Sequence, residues 1–517
     1  MSSNTQPGLE PFEKIAKEQH IEKGKVSLIP IFKYVYTENL TVNQAYLRLA
    51  DLNNPKRSPS FLFESAINGD SVDRYTFIGI RPREVVKTGD DSSLYPPELC
   101  NVDPITILEE NLKKYQQVSL PGLPKLSGGA VGYISYDCIK YFEPKTRRPM
   151  KDVLGLPEAV LMFSDIIVAF DHVYQRFQIL NNVHIEDGCN IEHRYKKAEE
   201  ELNKIEKMLL ADVPSTQINP DQPPIMLNQT FTSNIGKEGY ESHVETLKQH
   251  IVKGDIIQAV PSQRVARPTS LHPFNIYRHL RTVNPSPYLF YIDLIDFQII
   301  GASPELLVKS DEKNKVVTHP IAGTIKRGPT KEEDEKNAAI LRSSLKDRAE
   351  HVMLVDLARN DINRICDPHT TSVDRLLTIE RFSHVMHLVS EVSGTLRPDK
   401  TRFDAFRSIF PAGTVSGAPK VKAMELIAEL EKEKRNVYAG AVGHWGYDDR
   451  TMDTCIALRT MVYKNGVAYL QAGGGIVYDS DSYEEYIETM NKMMANNNTI
   501  VEAEKIWSSK VGSAPEN

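Results

Sequence analysis

The run 439–476, AGAVGHWGYDDRTMDTCIALRTMVYKNGVAYLQAGGGI, decides the fold class. It reads as three strands in succession, 439–446, 454–463 and 467–476, with no helical pattern between them. A doubly wound parallel sheet would alternate strand and helix, and this run does not. The same mixture extends upstream. Helices are expected at 237–253, 273–282, 331–358, 402–409, 418–431 and 483–505, and strands at 256–266, 288–293, 297–302 and 316–318. The first half is strand-rich, at 27–36, 60–65, 75–81, 129–136, 159–171 and 176–183. Helices at 42–51 and 104–116 interrupt it, the second opened by Asp103 and Pro104 as cap and first-turn residue.

A candidate boundary falls at 213–235, a stretch rich in Pro, Asn, Gln, Ser and Thr and free of periodicity. The expected fold is therefore α+β: a two-domain α/β sandwich with largely antiparallel sheets flanked by helices. A polar N-terminal tail spans 1–26, one domain 27–212, the linker 213–235 and a second domain 236–508.

Composition narrows the function. The 517 residues carry 62 Lys and Arg against 69 Asp and Glu, a net charge of −7, which argues against nucleic acid as the main partner. The longest apolar runs, at 160–163 and 166–170, are far short of the ~20 residues that a bilayer demands. The first residues have no basic segment leading into an apolar one, so no export signal is read there. Five scattered cysteines without a CxxC pair fit reduced thiols in a cytoplasmic protein.

Chemistry concentrates in a few segments. PAGTVSGAPK at 411–420 places small residues around Thr414 and Ser416 ahead of a helix, where backbone N–H groups and Lys420 suit an anion; a plain Gly-rich connector would look the same. AGGGIVYDS at 472–480 offers backbone donors from three glycines, or simply a tight turn; no dinucleotide or phosphate-loop pattern occurs. Asp347 and Glu350 share one helical face, as do Glu484, Glu485 and Glu488, with Lys492 a turn beyond. Two such carboxylates facing each other could hold Mg²⁺, although acidic helix faces are more often solvated. FSHVMHL at 382–388 supplies His384 and His387, one of which could move a proton near neutral pH. PIAGT at 320–324, LFES at 62–65 and NPSPYLFY at 284–291 are unremarked turns and strand ends when taken singly.

Taken in order, PIAGT, AEHVMLVDLARND, GTVSGAPK, QAGGGIVYDS and ExxNK resemble the chorismate-utilising enzymes. With LFES and NPSPY the resemblance is to the large subunits of anthranilate synthases, from about residue 27 to 505. It implies a Mg²⁺ cofactor on Glu350 and Glu488. It implies chorismate bound by Gly323, Thr324, Tyr438, Arg459, Gly473, Gly474, Gly475 and Lys492. His387 would be the acid near the leaving hydroxyl and Thr414 its hydrogen-bond partner, with Asp347 behind the metal ligands. Tryptophan would inhibit from Ser65, Pro287, Tyr288 and Leu289, making 27–212 a regulatory domain and 236–508 the catalytic one. Water-using relatives carry a Lys base where this chain has Gln258, and aminodeoxychorismate synthases commonly carry Lys in place of Ala322. Both differences favour direct attack by ammonia, with aminodeoxychorismate synthase or an inactive tryptophan- or chorismate-binding regulatory subunit as alternatives. No cysteine context, ELCNV, YDCIK, DGCNI, RICDP or DTCIA, has the flanking glycines of an amidotransferase nucleophile, so a separate glutamine amidotransferase subunit is implied as ammonia source.

Overall fold

The computed structural model describes residues 4–18, 25–65, 74–213, 218–381 and 385–511. His384 of the histidine motif lies outside them. Two large sheets dominate. The first runs in the order Thr232–Ser233, Ser262–Pro268, Val467–Gly473, Thr460–Lys464, Gln298–Ser303, Tyr288–Asp293, Ser60–Glu64, Tyr75–Ile80, Ile166–Asp171, Arg176–Ile185, Val26–Val35, Tyr115–Gln117. Its strands pair antiparallel except the last, which lies parallel to Val26–Val35. The second runs Ile321–Lys326, Val385–Thr395, Lys315–Thr318, Leu306–Ser310, Met452–Ile456, Ala441–Gly446, Gly129–Ile134, Ala159–Ser164, Glu84–Thr88, with Ser372–Arg381 also on Val385–Thr395.

Both sheets cross the 213–235 segment. Ser60–Glu64 pairs with Tyr288–Asp293 in one, and Gly129–Ile134 pairs with Ala441–Gly446 in the other. The sheets face each other over a shared apolar layer that includes Phe61, Val131, Met162, Phe290, Val442 and Cys455. Helices Val42–Ala50, Ile191–Leu210, Pro273–Val283 and Ser482–Val511 cover the outer side of the first sheet, and Pro104–Leu112, Leu345–Asn363 and Arg402–Ile409 that of the second. This is the expected α+β sandwich of largely antiparallel sheets.

Local rules account for most elements. Asp103 caps Pro104–Leu112 by accepting from Ile105 N–H, and Thr41 and Gln44 form a reciprocal capping box on Val42–Ala50. The single helix expected at 331–358 is two, Lys331–Ser343 and Leu345–Asn363. Ser344 adopts an extended backbone between them, and its hydroxyl accepts from Asp347 N–H to cap the second. The N-terminal stretch read as a polar tail contains a helix, Leu9–Glu18. Its Phe12 is fully buried and packs on Tyr195 at 5.0 Å between ring centroids. Among the described residues no helix is long and apolar enough to cross a membrane.

Candidate active site

The glycine triplet and the two acidic helices meet in one place. Leu345–Asn363 carries Asp347 and Glu350, and Ser482–Val511 carries Glu488 and Lys492. Gln258 Nε2 donates to Glu350 Oε1 at 2.9 Å. The triplet lies against this pair: a Cβ on Gly475 would sit 2.3 Å from Gln258 Nε2 and 3.3 Å from Glu350 Oε1. A residue without a side chain is what lets the amide reach the carboxylate. Lys492 Nζ donates to the Gly473 carbonyl at 2.9 Å and pairs with Glu488 Oε1 at 2.7 Å. Burial holds the Glu350 carboxyl above its usual range against the pull of Gln258 and Lys492, and the charges of Glu488 and Asp347 add to the rise.

Crowded carboxylates of this kind are relieved by a cation. Glu350 and Glu488 offer oxygen donors only, which suits Mg²⁺, an ion that commonly takes one or two protein carboxylates and keeps water and substrate oxygens. Among the described residues no set of three or more His, Cys, Asp or Glu side chains is grouped to hold an ion unaided. A metal here would take its remaining ligands from water and substrate.

The triplet presents fewer free donors than its sequence implies. Gly473 N–H is taken by the Tyr438 hydroxyl and Gly474 N–H by that of Tyr240, the latter at 3.2 Å. Gly475 N–H makes no hydrogen bond among the described residues. Lys420, expected at an anion, instead binds Asp361 Oδ2 at 2.6 Å and the Ile409 carbonyl.

A second group of residues adjoins the first. Strands Ile321–Lys326 and Val385–Thr395 slip register between Ala322 and Thr324, where Gly323 adopts φ +68°. A Cβ there would lie 3.1 Å from Asp347 Oδ1, so the bulge packs directly on the acidic helix. Beyond it Thr324 Oγ1 meets His387 Nδ1 at 2.8 Å. Burial and the neighbouring Arg459 push the His387 imidazole down to about 4. It is neutral at pH 7.

Arg459 is half-buried, and desolvation lowers its pKa. Among the described residues its guanidinium makes no ion pair, although buried cations normally have one. Glu305 is the residue that motif reading passed over. It is 4% exposed and accepts from Thr414 Oγ1 at 3.0 Å and from Ile321 N–H. Burial pushes its carboxyl up to about 8, so it keeps a proton at neutral pH. The sole hint in the sequence is one acid between two apolar strand runs, QIIGASPELLV at 298–308, which equally describes a turn.

Ser65, Pro287, Tyr288 and Leu289 line one cavity of about 520 Å³ between the two sheets. His444 and Asp453 form its far wall, and Tyr288 donates its hydroxyl to Asp453 Oδ1 at 2.9 Å. Glu64 also lines the cavity, and its carboxylate accepts from the Tyr277 hydroxyl at 2.8 Å and from Arg281 at 2.6 Å.

With this geometry in hand, the relatives can be compared. The chorismate binding enzyme family model matches residues 58–497, and the chain belongs to that family. It is 66% identical over 515 residues to anthranilate synthase component 1 of Saccharomyces cerevisiae, covering 99% of each chain. It is 56% identical over 508 residues to the probable anthranilate synthase component 1 of Schizosaccharomyces pombe, covering 98% of this chain and 99% of the other. The crystal structure of anthranilate synthase component I from Streptococcus pneumoniae superimposes with TM-score 0.72 at 37% identity, covering 89% of this chain and 98% of that one. Within the family the chain therefore groups with component 1 of the anthranilate synthases. A menaquinone-specific isochorismate synthase from Escherichia coli shares the fold, with TM-score 0.68 at 17% identity, 95% of this chain and 98% of that one being covered.

Proposed function

We propose that the chain converts chorismate and ammonia to anthranilate and pyruvate, as an anthranilate synthase large subunit. The observations that carry this reading are the crowded carboxylate pair, the protonated Glu305, and Arg459, which makes no ion pair among the described residues and whose charge reaches His387. A dianionic substrate with one hydroxyl to lose matches all three. Arg459 grips one carboxylate of chorismate bidentately. Glu350 and Glu488 hold Mg²⁺, which supplies Lewis-acid charge stabilisation at the other carboxylate when bound.

Nitrogen adds at C2 as the C4 hydroxyl leaves. The protonation states favour a division of labour different from the motif-based one. Glu305, held protonated and aligned by Thr414, gives its proton to the departing hydroxyl. Neutral His387, oriented by Thr324, is fit to accept the C2 proton when pyruvate is lost. Gly323, Tyr438 and Lys492 shape the pocket around these groups.

The ammonia comes from a separate glutaminase subunit. Burial raises the thiols of Cys138, Cys366 and Cys455, which makes them poor nucleophiles. The unpaired cysteines also fit a cytoplasmic setting. Incubated alone with chorismate and Mg²⁺, the chain yields anthranilate from ammonium and none from glutamine, read by product fluorescence and mass. Glutamine-driven product from the rigorously purified chain, or no product from ammonium, counts against the reading.

The cavity between the sheets is the proposed tryptophan site, with residues 27–212 and 236–508 as regulatory and catalytic parts sharing it. Asp453 and Cys455 line it, and the same strand ends at Ile456, whose N–H donates to the Glu305 carbonyl at 3.0 Å. Occupancy thereby bears on the proton donor. Ser65→Arg puts a bulky cation into the cavity, and inhibition by tryptophan weakens by roughly tenfold or more, within the usual range of allosteric coupling. Turnover without tryptophan stays near normal. An unchanged tryptophan dose response places the effector elsewhere.

A further inference from the structure

An open cleft of about 1640 Å³ lies among the helices on the outer side of the first sheet. Helix Pro273–Val283, the far end of Ser482–Val511 and residues 218–222 contribute to its walls. Its charge is opposite to that of the chain, whose net is −7. Arg278, His279, Arg281 and Lys510 line it, and the sole acid among the described lining residues is Asp221. His279 is paired with Glu502 at 3.0 Å and Arg281 with Glu64 at 2.6 Å. Arg278 and Lys510 make no ion pair among the described residues. Arg278 is half-buried, and it meets the Asn275 side-chain oxygen at 3.3 Å and the faces of Phe274 and Trp507, 5.5 and 5.8 Å from the ring centroids. Desolvation lowers its pKa. Lys510 Nζ stands 4.5 Å from the centroid of the same Trp507 ring. Cations withdrawn from water normally have an acid beside them. Here two cations share one indole, close enough for a single small molecule to reach both, and the counter-charge is missing.

We infer that this cleft is a second effector site, which takes a small anion of the phosphate-ester class and thereby relaxes inhibition by tryptophan. The regulatory half of the inference rests on the tryptophan site proposed above; the binding half does not. A phosphate group suits the two cations better than a carboxylate does. It carries nearly two negative charges at neutral pH, and its three oxygens can meet a guanidinium fork and an ammonium together. The route to the other site runs through one helix. Arg281 lies one turn beyond Arg278 on Pro273–Val283, and it holds the Glu64 carboxylate together with the Tyr277 hydroxyl. Glu64 borders the cavity between the sheets. An anion at Arg278 shares Arg281 with Glu64, weakens that hold, and loosens the wall against which tryptophan packs.

Inorganic phosphate is the probe, with sodium chloride at matched ionic strength as the blank. Of the two tryptophans, Trp445 is sealed in the core and Trp507 lines the cleft, so intrinsic fluorescence reports on the cleft. Phosphate gives the full chain a saturable change that chloride does not. In the double variant Arg278→Gln, Lys510→Gln its affinity falls roughly tenfold or more, the size expected for lost hydrogen bonds to charged groups. With saturating chorismate, ammonium and constant free Mg²⁺, saturating phosphate raises the tryptophan concentration for half-inhibition by about fivefold, at the low end of allosteric coupling. The double variant shows no such rise, and its turnover without tryptophan is unchanged. Thermal melting checks folding, and should the double variant not fold, Lys510→Gln alone, at an exposed position, carries the same test with a smaller expected loss. A response to phosphate that does not saturate, or one of equal affinity in the variant, overturns the site. Saturable binding with unchanged inhibition overturns its regulatory role. A wild-type chain that tryptophan does not inhibit at all fails the tryptophan proposal instead, and the fluorescence titration still decides the cleft.

Discussion

Glu488→Gln lowers kcat/KM for chorismate by on the order of 10³-fold or more and leaves the fold intact. The size follows from losing several kcal/mol of charge stabilisation at about 1.4 kcal/mol per tenfold. The spared fold follows from surroundings. Glu488 is about half exposed, and its ion pair with Lys492 a turn away is of the surface kind worth about 0.3–0.5 kcal/mol. Melting temperature should then move by less than about 2 °C. Glu350→Gln gives a comparable loss, with a larger effect on packing because Gln258 loses its charged acceptor. Calorimetric Mg²⁺ titration in the presence of chorismate is the independent check. Affinity near wild type in both variants would remove the carboxylates from the metal role.

Glu305→Gln lowers kcat by about 10²–10⁴, the usual contribution of a positioned acid. Glutamine keeps the shape and the bond to Thr414 but has no proton to give. The pH dependence is the sharper signature. A carboxyl raised to about 8 is loaded below that pH and empties above it. At a fixed concentration of free ammonia, kcat/KM for chorismate is flat through neutrality and falls tenfold per pH unit beyond about 8, and the variant loses that limb while remaining slow throughout. Retention of the limb in Glu305→Gln would assign the proton to another group.

The motifs were legible because ligand-contacting backbone needs small residues at fixed places. Gly475 is written into the sequence by the 2.3 Å that separates its absent Cβ from Gln258. Strand content was legible from the run 439–476, but the single strand expected at 454–463 is two, Met452–Ile456 in the second sheet and Thr460–Lys464 in the first, between Ala441–Gly446 and Val467–Gly473. Glu305 was not legible, because its distinguishing property is a proton retained through burial, and burial belongs to the assembled sheets. Lys420 misled for a related reason. A motif shows that a cation is present but not which acid claims it, and Asp361 does. The break at Ser344 was hidden because the residues on either side continue to favour helix, while one hydroxyl turned back on Asp347 N–H ends it.

The pairing of Ser60–Glu64 with Tyr288–Asp293, and of Gly129–Ile134 with Ala441–Gly446, has a consequence for anyone who would take the chain apart. Severing it near residue 213 and producing the pieces separately would leave each with long, open strand edges of buried residues, the kind that associate indiscriminately. The tryptophan control proposed for the cavity between the sheets would consequently not be a detachable module that could be deleted or grafted onto another catalyst. On that proposal an unregulated variant would be reached by substitutions inside the shared cavity, one side chain at a time, each of them respecting the two sheets that meet there.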